Sequence, residues 1–275
     1  MDIPFSRWHP AIEKRISRRR FDPNLPISPE ALGDLDTVCH NFAPFSCARS
    51  VLVTDSANSV FKGFIGGYGK ITGAPAFIAF VGNMDDPFVQ EKVGYTGEGV
   101  TLEATALGLS TCWLGLFKEE TVTSIVELHS EEQVLAITPV GYAMTAKHWQ
   151  ERLMTGFVRS HNRLPLSELV TGLPEERWPG WVRTSLEDAR LAPSAVNRQP
   201  WSFEVQEDSV LVSVRTRGPE FRVSKRLDCG IAMMHIEVAA GECGCTGRWE
   251  FLRAPEVARF RVSSQDSHSD IDDAQ

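Results

Sequence analysis

The chain has 275 residues, with 28 Lys and Arg against 36 Asp and Glu, which gives a formal net charge of −8. This acidic balance argues against nonspecific binding to nucleic acid or to an anionic membrane surface. There is no apolar run long enough to cross a bilayer, and the first residues, MDIPFSRWHP, lack the pattern of a signal peptide. We therefore expect a cytoplasmic protein with no nucleic-acid partner and no membrane partner.

Helices and strands are both predicted, which indicates an α+β fold. Ser28 before Pro29 is a typical helix start, because Ser caps the first turn and Pro suits the first helical position. Short apolar runs bounded by helix-breaking residues indicate buried strands. In chain order we predict a helix at 9–17, a helix at 28–42, strands at 49–54 and 75–82, a helix at 97–111 ending near Gly108, a strand at 134–142, a helix at 184–191, strand structure at 202–214 and a helix at 229–240. The acidic end, 263–275, is predicted to be disordered.

Several segments recur in the second half of the chain in the same order. NLPIS at 24–28 is echoed by RLPLS at 163–167 (163 − 24 = 139), and GLSTCW at 108–113 is echoed by GCTGRW at 244–249 (244 − 108 = 136). Each echo alone is weak, but their shared order indicates a diverged internal duplication. We predict one half over 1–150 and a second half over 151–262.

The six cysteines are scattered along the chain, and CGC at 243–245 is the one close pair. No second Cys pair or His pair completes a zinc-binding pattern. We therefore predict reduced, mostly buried thiols and no metal site.

The stretch KRISRRRF at 14–21 is a basic cluster in an acidic protein. Arg15, Ser17 and Arg19 alternate along it, and guanidinium groups together with a hydroxyl suit the oxygens of a phosphate. The alternative is a solvated basic surface, which this stretch alone does not exclude.

The stretch APSAVNRQPW at 192–201 concentrates rigid and hydrogen-bonding residues in one connection. Pro193 and Pro200 limit the entropy that a ligand would remove, and the amides of Asn197 and Gln199 can face the edge of a heterocycle. Trp201 is expected to pack at the start of the next strand and hold the loop in place. The alternative is a rigid corner with a purely structural role.

The stretch TCWLG at 111–115 forms an apolar turn that could bring backbone N–H groups close to a flat ligand. Its alternative is ordinary core packing. Cys112 has no His or Asp nearby in the sequence that would activate it as a nucleophile. His235, within the apolar run AMMHIEV, is interpreted as a core histidine with satisfied nitrogens.

Together these three stretches resemble the nitroreductase family of FMN-dependent oxidoreductases. RISRRRF is similar to that family's R-x-S-x-R-x-F start, APSAVNRQPWSF to its A-P-S-x-x-N-x-Q-P-W-x-F segment, and LEATALGLSTCWLG to its later helix and turn. In ordinary members two chains form a dimer with an FMN at each interface. Here the phosphate motif and the P-S-x-x-N segment lie in different halves, as in the internally duplicated, single-chain branch. The resemblance implies a nitroreductase-like fold in two tandem halves, forming an intramolecular pseudo-dimer that is a monomer in solution.

The resemblance also implies one composite FMN site and its residues, with Lys147 a weaker candidate near the phosphate. The implied cofactor-binding residues are Arg15, Ser17 and Arg19 for the phosphate, Cys112, Trp113, Leu114 and Gly115 along the ring, and Pro193, Ser194, Ala195, Asn197 and Gln199 along the ribityl chain and isoalloxazine.

The implied reaction is hydride transfer from NADH or NADPH through FMN to a nitroaromatic, quinone or similar small-molecule acceptor. No catalytic side chain is named, because solvent can supply the protons. Two alternatives stay open: different chemistry on the same flavin, such as dehalogenation or dehydrogenation, and a flavin-binding protein or pseudo-enzyme without turnover.

Overall fold

A computed structural model describes residues 1–55, 57–61, 65–66, 69–144, 162–215 and 223–263. The predicted boundary near residue 150, Lys147 and the predicted disordered tail from 264 onward lie outside these residues. The helices are α1 (Phe5–Lys14), α2 (Pro29–Asn41), α3 (Ala57–Phe61), α4 (Val89–Ala106), α5 (Glu119–Thr123), α6 (Leu166–Leu169), α7 (Gly180–Ala189) and α8 (Lys225–Glu242). The strands are β1 (Ala48–Val53), β2 (Ile65–Gly66), β3 (Gly69–Lys70), β4 (Ala76–Asn83), β5 (Ser110–Thr111), β6 (Glu132–Gly141), β7 (Val170–Gly172), β8 (Trp201–Val205), β9 (Ser209–Val214), β10 (Gly247–Phe251) and β11 (Glu256–Val262).

The strands form two main sheets, which confirms the mixed α+β class. One sheet has the order β1-β4-β6-β5 and is antiparallel throughout. The other has the order β10-β11-β9-β8-β7, antiparallel except where β7 runs parallel to β8. The predicted strand structure at 202–214 is a hairpin, β8 and β9, with its turn at 206–208.

Most predicted elements are present, but four of the helices, α1, α4, α7 and α8, begin earlier in the chain than predicted. Ser28 caps α2, because its Oγ accepts a hydrogen bond from the Ala31 N–H at 3.2 Å. The first helix lies at Phe5–Lys14 and not at 9–17, since Ser17 instead pairs with Thr111 in a β-bridge. Helix α4 begins at Val89, earlier than the predicted start at 97.

Strand β4 is buried on both faces, which explains the continuous apolar run of its sequence. Ile78 and Phe80 point into the main core with the central helices, whereas Phe77 and Val81 point into a second cluster on the opposite face. The main core extends across both sheets, so apolar residues of the two halves of the chain pack as one body. Among the described helices, none combines the length and apolar character that a bilayer crossing needs.

Helices α4 and α8 cross at the centre of the molecule with their backbones in close approach. A Cβ on Gly94 would lie 2.1 Å from the carbonyl oxygen of Leu227, and a Cβ on Gly230 would lie 2.0 Å from that of Glu91. The contact is reciprocal, because Gly94 and Gly230 are separated by the same number of residues as Glu91 and Leu227 (230 − 94 = 227 − 91 = 136).

The two central helices also end in the same way. Each has 18 residues, and each is followed by a glycine at positive φ, Gly108 at 79° and Gly244 at 78°. The N–H of Leu109 donates to Ala104 at 2.8 Å, and the N–H of Cys245 donates to Ala240 at 2.9 Å. Glycine adopts positive φ more readily than any other residue, so each helix end is specified by the local sequence.

Candidate functional site

The basic stretch leaves α1 in an extended conformation and runs beside the turn at 111–115. The Arg18 N–H donates to the Thr111 carbonyl at 2.8 Å, and Ser17 forms a bridge with the same residue. The structure thus brings together two of the three predicted stretches. Ser17 and Thr111 are 94 positions apart in the sequence (111 − 17 = 94), and they meet in this bridge.

Arg15 is the most buried cation of the basic stretch, with 8% of its surface exposed. Its Nε and Nη1 atoms are buried and have no hydrogen-bond partner in the described part of the chain. The nearest carboxylate oxygen is Glu98 Oε1, 3.6 Å from Nε, which is ion-pair range but too long for a hydrogen bond. Buried donors of a cation without an acceptor fit an anionic ligand.

A cavity of about 150 Å³ lies against this stretch. Its lining includes three cationic residues, Lys14, Arg15 and Arg18, and the hydroxyl residues Ser110 and Thr111. This volume is below the roughly 300–1,000 Å³ typical of pockets for whole small molecules. Its size and charge suit one anionic group of a larger ligand.

Cys112 is buried beside this cavity. Burial raises the pKa of its thiol, while Arg19, Arg15 and a hydrogen bond with Ser17 act in the opposite direction. A raised pKa keeps the sulfur protonated, so Cys112 is not set up as a nucleophile. Its N–H donates to Thr138 Oγ1 at 3.0 Å, which fixes the start of the turn.

The rest of the turn connects the two halves of the chain. Trp113 donates its Nε1–H to Glu98 Oε2 at 2.7 Å, and its ring lies 4.4 Å from that of Phe80. Leu114 is fixed by a bridge to β6. A Cβ on Gly115 would meet Val223 Cγ2 at 2.2 Å, so only glycine allows this close contact with the segment before α8.

The backbone of the loop at 192–201 is held in an unusual conformation. Val196, Asn197 and Gln199 have positive φ angles of 56°, 54° and 45°. Such conformations cost on the order of 1–3 kcal/mol each in non-glycine residues. The Gln199 N–H donates to Ser194 Oγ at 3.0 Å, and Trp201, which is fully buried as predicted, anchors the loop at the start of β8.

The two predicted amides bind the neighbouring chain segment at 162–164. Asn197 donates to the Asn162 carbonyl at 3.0 Å. Gln199 accepts from the Leu164 N–H at 2.8 Å and donates to the same carbonyl of Asn162 at 3.0 Å. These contacts fit the alternative of a rigid corner with a structural role, which the sequence analysis left open. They also give the amides a role in holding the segment that contains Arg163.

Asp228, in the first turn of α8, anchors the other side of the loop. Its carboxylate accepts from the Ala195 N–H at 3.2 Å and from Arg198 Nε at 2.7 Å. Arg198 also donates to the Val223 carbonyl at 3.0 Å, next to the contact with Gly115. Pro193 is buried at the start of the loop.

Arg163 is a site residue that the sequence interpretation missed. It donates to Asn197 Oδ1 and, at 2.8 Å, to the Leu191 carbonyl, which are both neutral acceptors. Burial, together with repulsion from Arg15 and Arg190, lowers its pKa to about 10. Arg163 therefore holds the loop at 192–201, and it adds a half-buried cation within electrostatic range of Arg15. No local sequence signal marks it, because its partners lie about thirty residues further along the chain.

Glu98 and His235 lie beneath these stretches, and both are fully buried. His235 Nε2 lies 2.9 Å from Glu98 Oε1, and Nδ1 lies 2.9 Å from the backbone carbonyl oxygen of Asp188. The interpretation of His235 as a core histidine with both nitrogens satisfied is confirmed. Glu98 was not singled out, although it contacts both Trp113 and Arg15.

Comparison with known proteins identifies the family. The family model described as "Putative TM nitroreductase" matches residues 8–240. The chain belongs to this nitroreductase-like family. The match includes the basic stretch, the turn at 111–115 and the loop at 192–201, so all three stretches lie within the family region.

The first of three solved structures shows the same fold, and the other two are similar over about half of the chain. A protein of Thermotoga maritima described as a "putative nitroreductase" is 21% identical, with 93% of each chain covered and a TM-score of 0.63. A nitroreductase family protein of Clostridium difficile 630 is 22% identical over 58% of this chain and 94% of its own, with a TM-score of 0.44. A nitroreductase of Bacteroides fragilis with bound FMN is 15% identical over 51% of this chain and 90% of its own, with a TM-score of 0.40. No curated protein matches the chain.

Proposed function

We propose that this member of the nitroreductase-like family is an FMN-dependent oxidoreductase. The observation that carries the proposal is Arg15, whose buried Nε and Nη1 donors lack an acceptor in the described part of the chain, while a half-buried cation, Arg163, lies within electrostatic range of it. Two such cations fit the FMN phosphate, which is an anion with several acceptor oxygens. Ser17 and Arg19 complete the phosphate-binding set.

The remaining predicted residues have separate roles in this proposal. Residues 112–115 follow the ring of the flavin, and the loop at 192–201 reaches it from the second half of the chain. Asn197 and Gln199 act mainly by holding Arg163 and the segment at 162–164 in place. Bound FMN supplies the redox chemistry, accepting hydride from NADH or NADPH and reducing a nitroaromatic, quinone or similar acceptor.

We further propose that the chain is an internal pseudo-dimer and a monomer in solution. Three features support this: the shared spacing of α4 and α8, the reciprocal glycine contacts between these helices, and the matching sheet orders β1-β4-β6-β5 and β8-β9-β11-β10. A contact in which residue i meets j and the equivalent of j meets the equivalent of i is what a two-fold axis produces.

The proposed pseudo-dimer keeps one FMN site. In the first half, the position equivalent to Asp228 is Lys92 (228 − 136 = 92), which forms an ion pair with Asp86 at 2.6 Å. The Nζ of Lys92 also lies 4.8 Å from the ring centre of Phe251 and 5.7 Å from that of Phe45. An equivalent of the loop at 192–201 at this position would therefore contact aromatic side chains and a cation, and it would lack the carboxylate that Asp228 supplies.

The test measures the affinity of FMN for the protein and for two arginine variants, with binding detected by the quenching of flavin fluorescence. Arg15→Gln should weaken binding by roughly tenfold to a hundredfold, because a charge-assisted hydrogen bond contributes about 1.5–3 kcal/mol. Arg177→Gln is the control, since Arg177 is 60% exposed and pairs only with Glu207 among the described residues. Equal affinity for the two variants would contradict the site. Bound FMN that NADH and NADPH both fail to bleach without oxygen would identify a binding protein without turnover.

A further inference from the structure

Glu98 and His235 form a buried pair of titratable groups that the proposed reaction does not use. Glu98 lies on α4 and His235 on α8, so the pair joins the two halves of the chain. Glu98 Oε2 also accepts the Trp113 Nε1–H at 2.7 Å, and Glu98 Oε1 lies 3.6 Å from Arg15 Nε. The charge of this pair therefore acts directly on the candidate anion site.

The hydrogen bonds fix the number of protons on the pair. His235 Nδ1 faces the carbonyl oxygen of Asp188 at 2.9 Å, and a carbonyl only accepts, so Nδ1 carries a proton. A neutral imidazole would then present a lone pair at Nε2 to the carboxylate oxygen of Glu98 at 2.9 Å. Two acceptors at this distance require a proton between them. The pair is net neutral whether that proton is on Nε2 or on Glu98.

Other charged groups face the pair from the neighbouring helices. Burial raises the pKa of the Asp188 carboxylate on α7, and His235 and His9 offset this increase only in part. His9 Nε2 on α1 lies 3.0 Å from Asp188 Oδ2. Glu13, on the same helix as His9, raises the pKa of Asp188 by charge repulsion. Arg15 follows at the end of α1. The negative charge of Asp188 stabilises a proton on His235, while Arg15 stabilises negative charge on Glu98.

We propose that Glu98 and His235 share one proton, and that this net-neutral pair orients Trp113 while leaving the charge of Arg15 available to an anionic ligand. A carboxylate at Glu98 beside a neutral His235 would instead neutralise Arg15 and oppose the ligand, in an interior where charges are weakly screened. Both are positioning residues. The identity of the ligand as FMN rests on the proposed function, whereas the position of the proton does not.

The position of the proton is tested by ¹⁵N-histidine NMR on the cofactor-free full chain, with His235→Gln used to assign the signal of His235. We expect a protonated Nδ1, either in the Nδ1–H tautomer or in an imidazolium. An Nε2–H tautomer with Nδ1 unprotonated would overturn the proposal, because Glu98 would then be a carboxylate beside a neutral imidazole.

The effect of the charge is tested by FMN affinity in matched variants. Glu98→Gln keeps the pair neutral, so the dissociation constant should change by less than about threefold. His235→Gln keeps a hydrogen-bond donor but cannot hold the extra proton, so at about pH 8 binding should weaken roughly tenfold or more, and the double variant should recover it. Unchanged binding by His235→Gln, or no recovery in the double variant, would contradict the charge argument. If the parent protein does not bind FMN, the proposed function fails while the NMR result still locates the proton.

Discussion

Replacing Gly94 by Ala tests whether the close crossing of α4 and α8 holds the molecule together. The added Cβ would lie 2.1 Å from the carbonyl oxygen of Leu227, so the two helices would have to separate by about 1 Å to restore a normal contact. Overpacking of this kind costs about 1–3 kcal/mol and sometimes more, because neither the added Cβ nor the backbone carbonyl that it meets can rotate away. Alanine recovers about 1 kcal/mol of helix propensity. The expected net loss in the free energy of unfolding is up to about 2 kcal/mol.

Gly33 provides the matched control for this change. It lies on the exposed face of α2, and a Cβ there would meet nothing within 4 Å. Gly33→Ala should therefore stabilise the protein by about 0.5–1 kcal/mol. Urea unfolding gives the free energy of unfolding of both variants. The difference between their two changes removes the contribution of helix propensity, which both substitutions share. If Gly94→Ala were as stable as Gly33→Ala, the close crossing of the two helices would be wrong.

A double variant extends this test to the reciprocal contact. The Cβ added by Gly230→Ala would lie 2.0 Å from the carbonyl oxygen of Glu91. Once Gly94→Ala has separated the helices, the second alanine should destabilise less than it does alone. Strictly additive losses would indicate two unrelated contacts in place of one shared interface.

Three further predictions concern single contacts, each measured by urea unfolding. Trp113→Phe removes the donor to Glu98 Oε2 and should destabilise by about 1–3 kcal/mol, since a buried carboxylate oxygen loses its partner; a loss near zero would contradict that bond. Val196→Gly should leave stability unchanged or raise it by up to about 1 kcal/mol, because Val196 is 48% exposed and strained at φ 56°; a clear loss would argue against the strain. Arg49 lowers the pKa of Glu132 to about 2, so the stability from this pair is present above the usual pKa of 4.5 and is lost as the pH falls toward 2. Arg49→Gln should therefore destabilise at neutral pH and much less in acid, and an equal loss at both would refute the pairing.

The sequence predicted the elements whose signals are local. The N-cap of Ser28 and the strand run PAFIAFVG depend on neighbouring residues, and both are present. The first turns of α4 were not predicted, and the helix contains Gly94, Gly97 and Gly99, which have low helix propensity. In the structure each of these glycines makes room for a partner that is distant in sequence: the backbone of α8, the ring of Trp113 or the ring of Phe42.

The candidate site likewise combines local sequence signals with contacts between residues that are distant in sequence. Its three motifs were recognised from their own sequences, and the structure connects them through contacts that no local pattern reveals. Arg163 binds Asn197 and lies within electrostatic range of Arg15 because the chain folds back on itself. Glu98 and His235 are 137 positions apart and meet only because α4 crosses α8. A motif specifies a local shape, while the charge of a buried site depends on long-range packing.

The central claim is that one FMN binds between the two halves of a single chain. The most direct test is the molar ratio of released FMN to protein in the purified sample, or in the sample reconstituted with FMN, together with the molar mass in solution by light scattering. We expect one FMN per chain and the mass of a monomer. Two FMN molecules per chain, an obligate dimer, or protein that binds no added FMN would contradict the account.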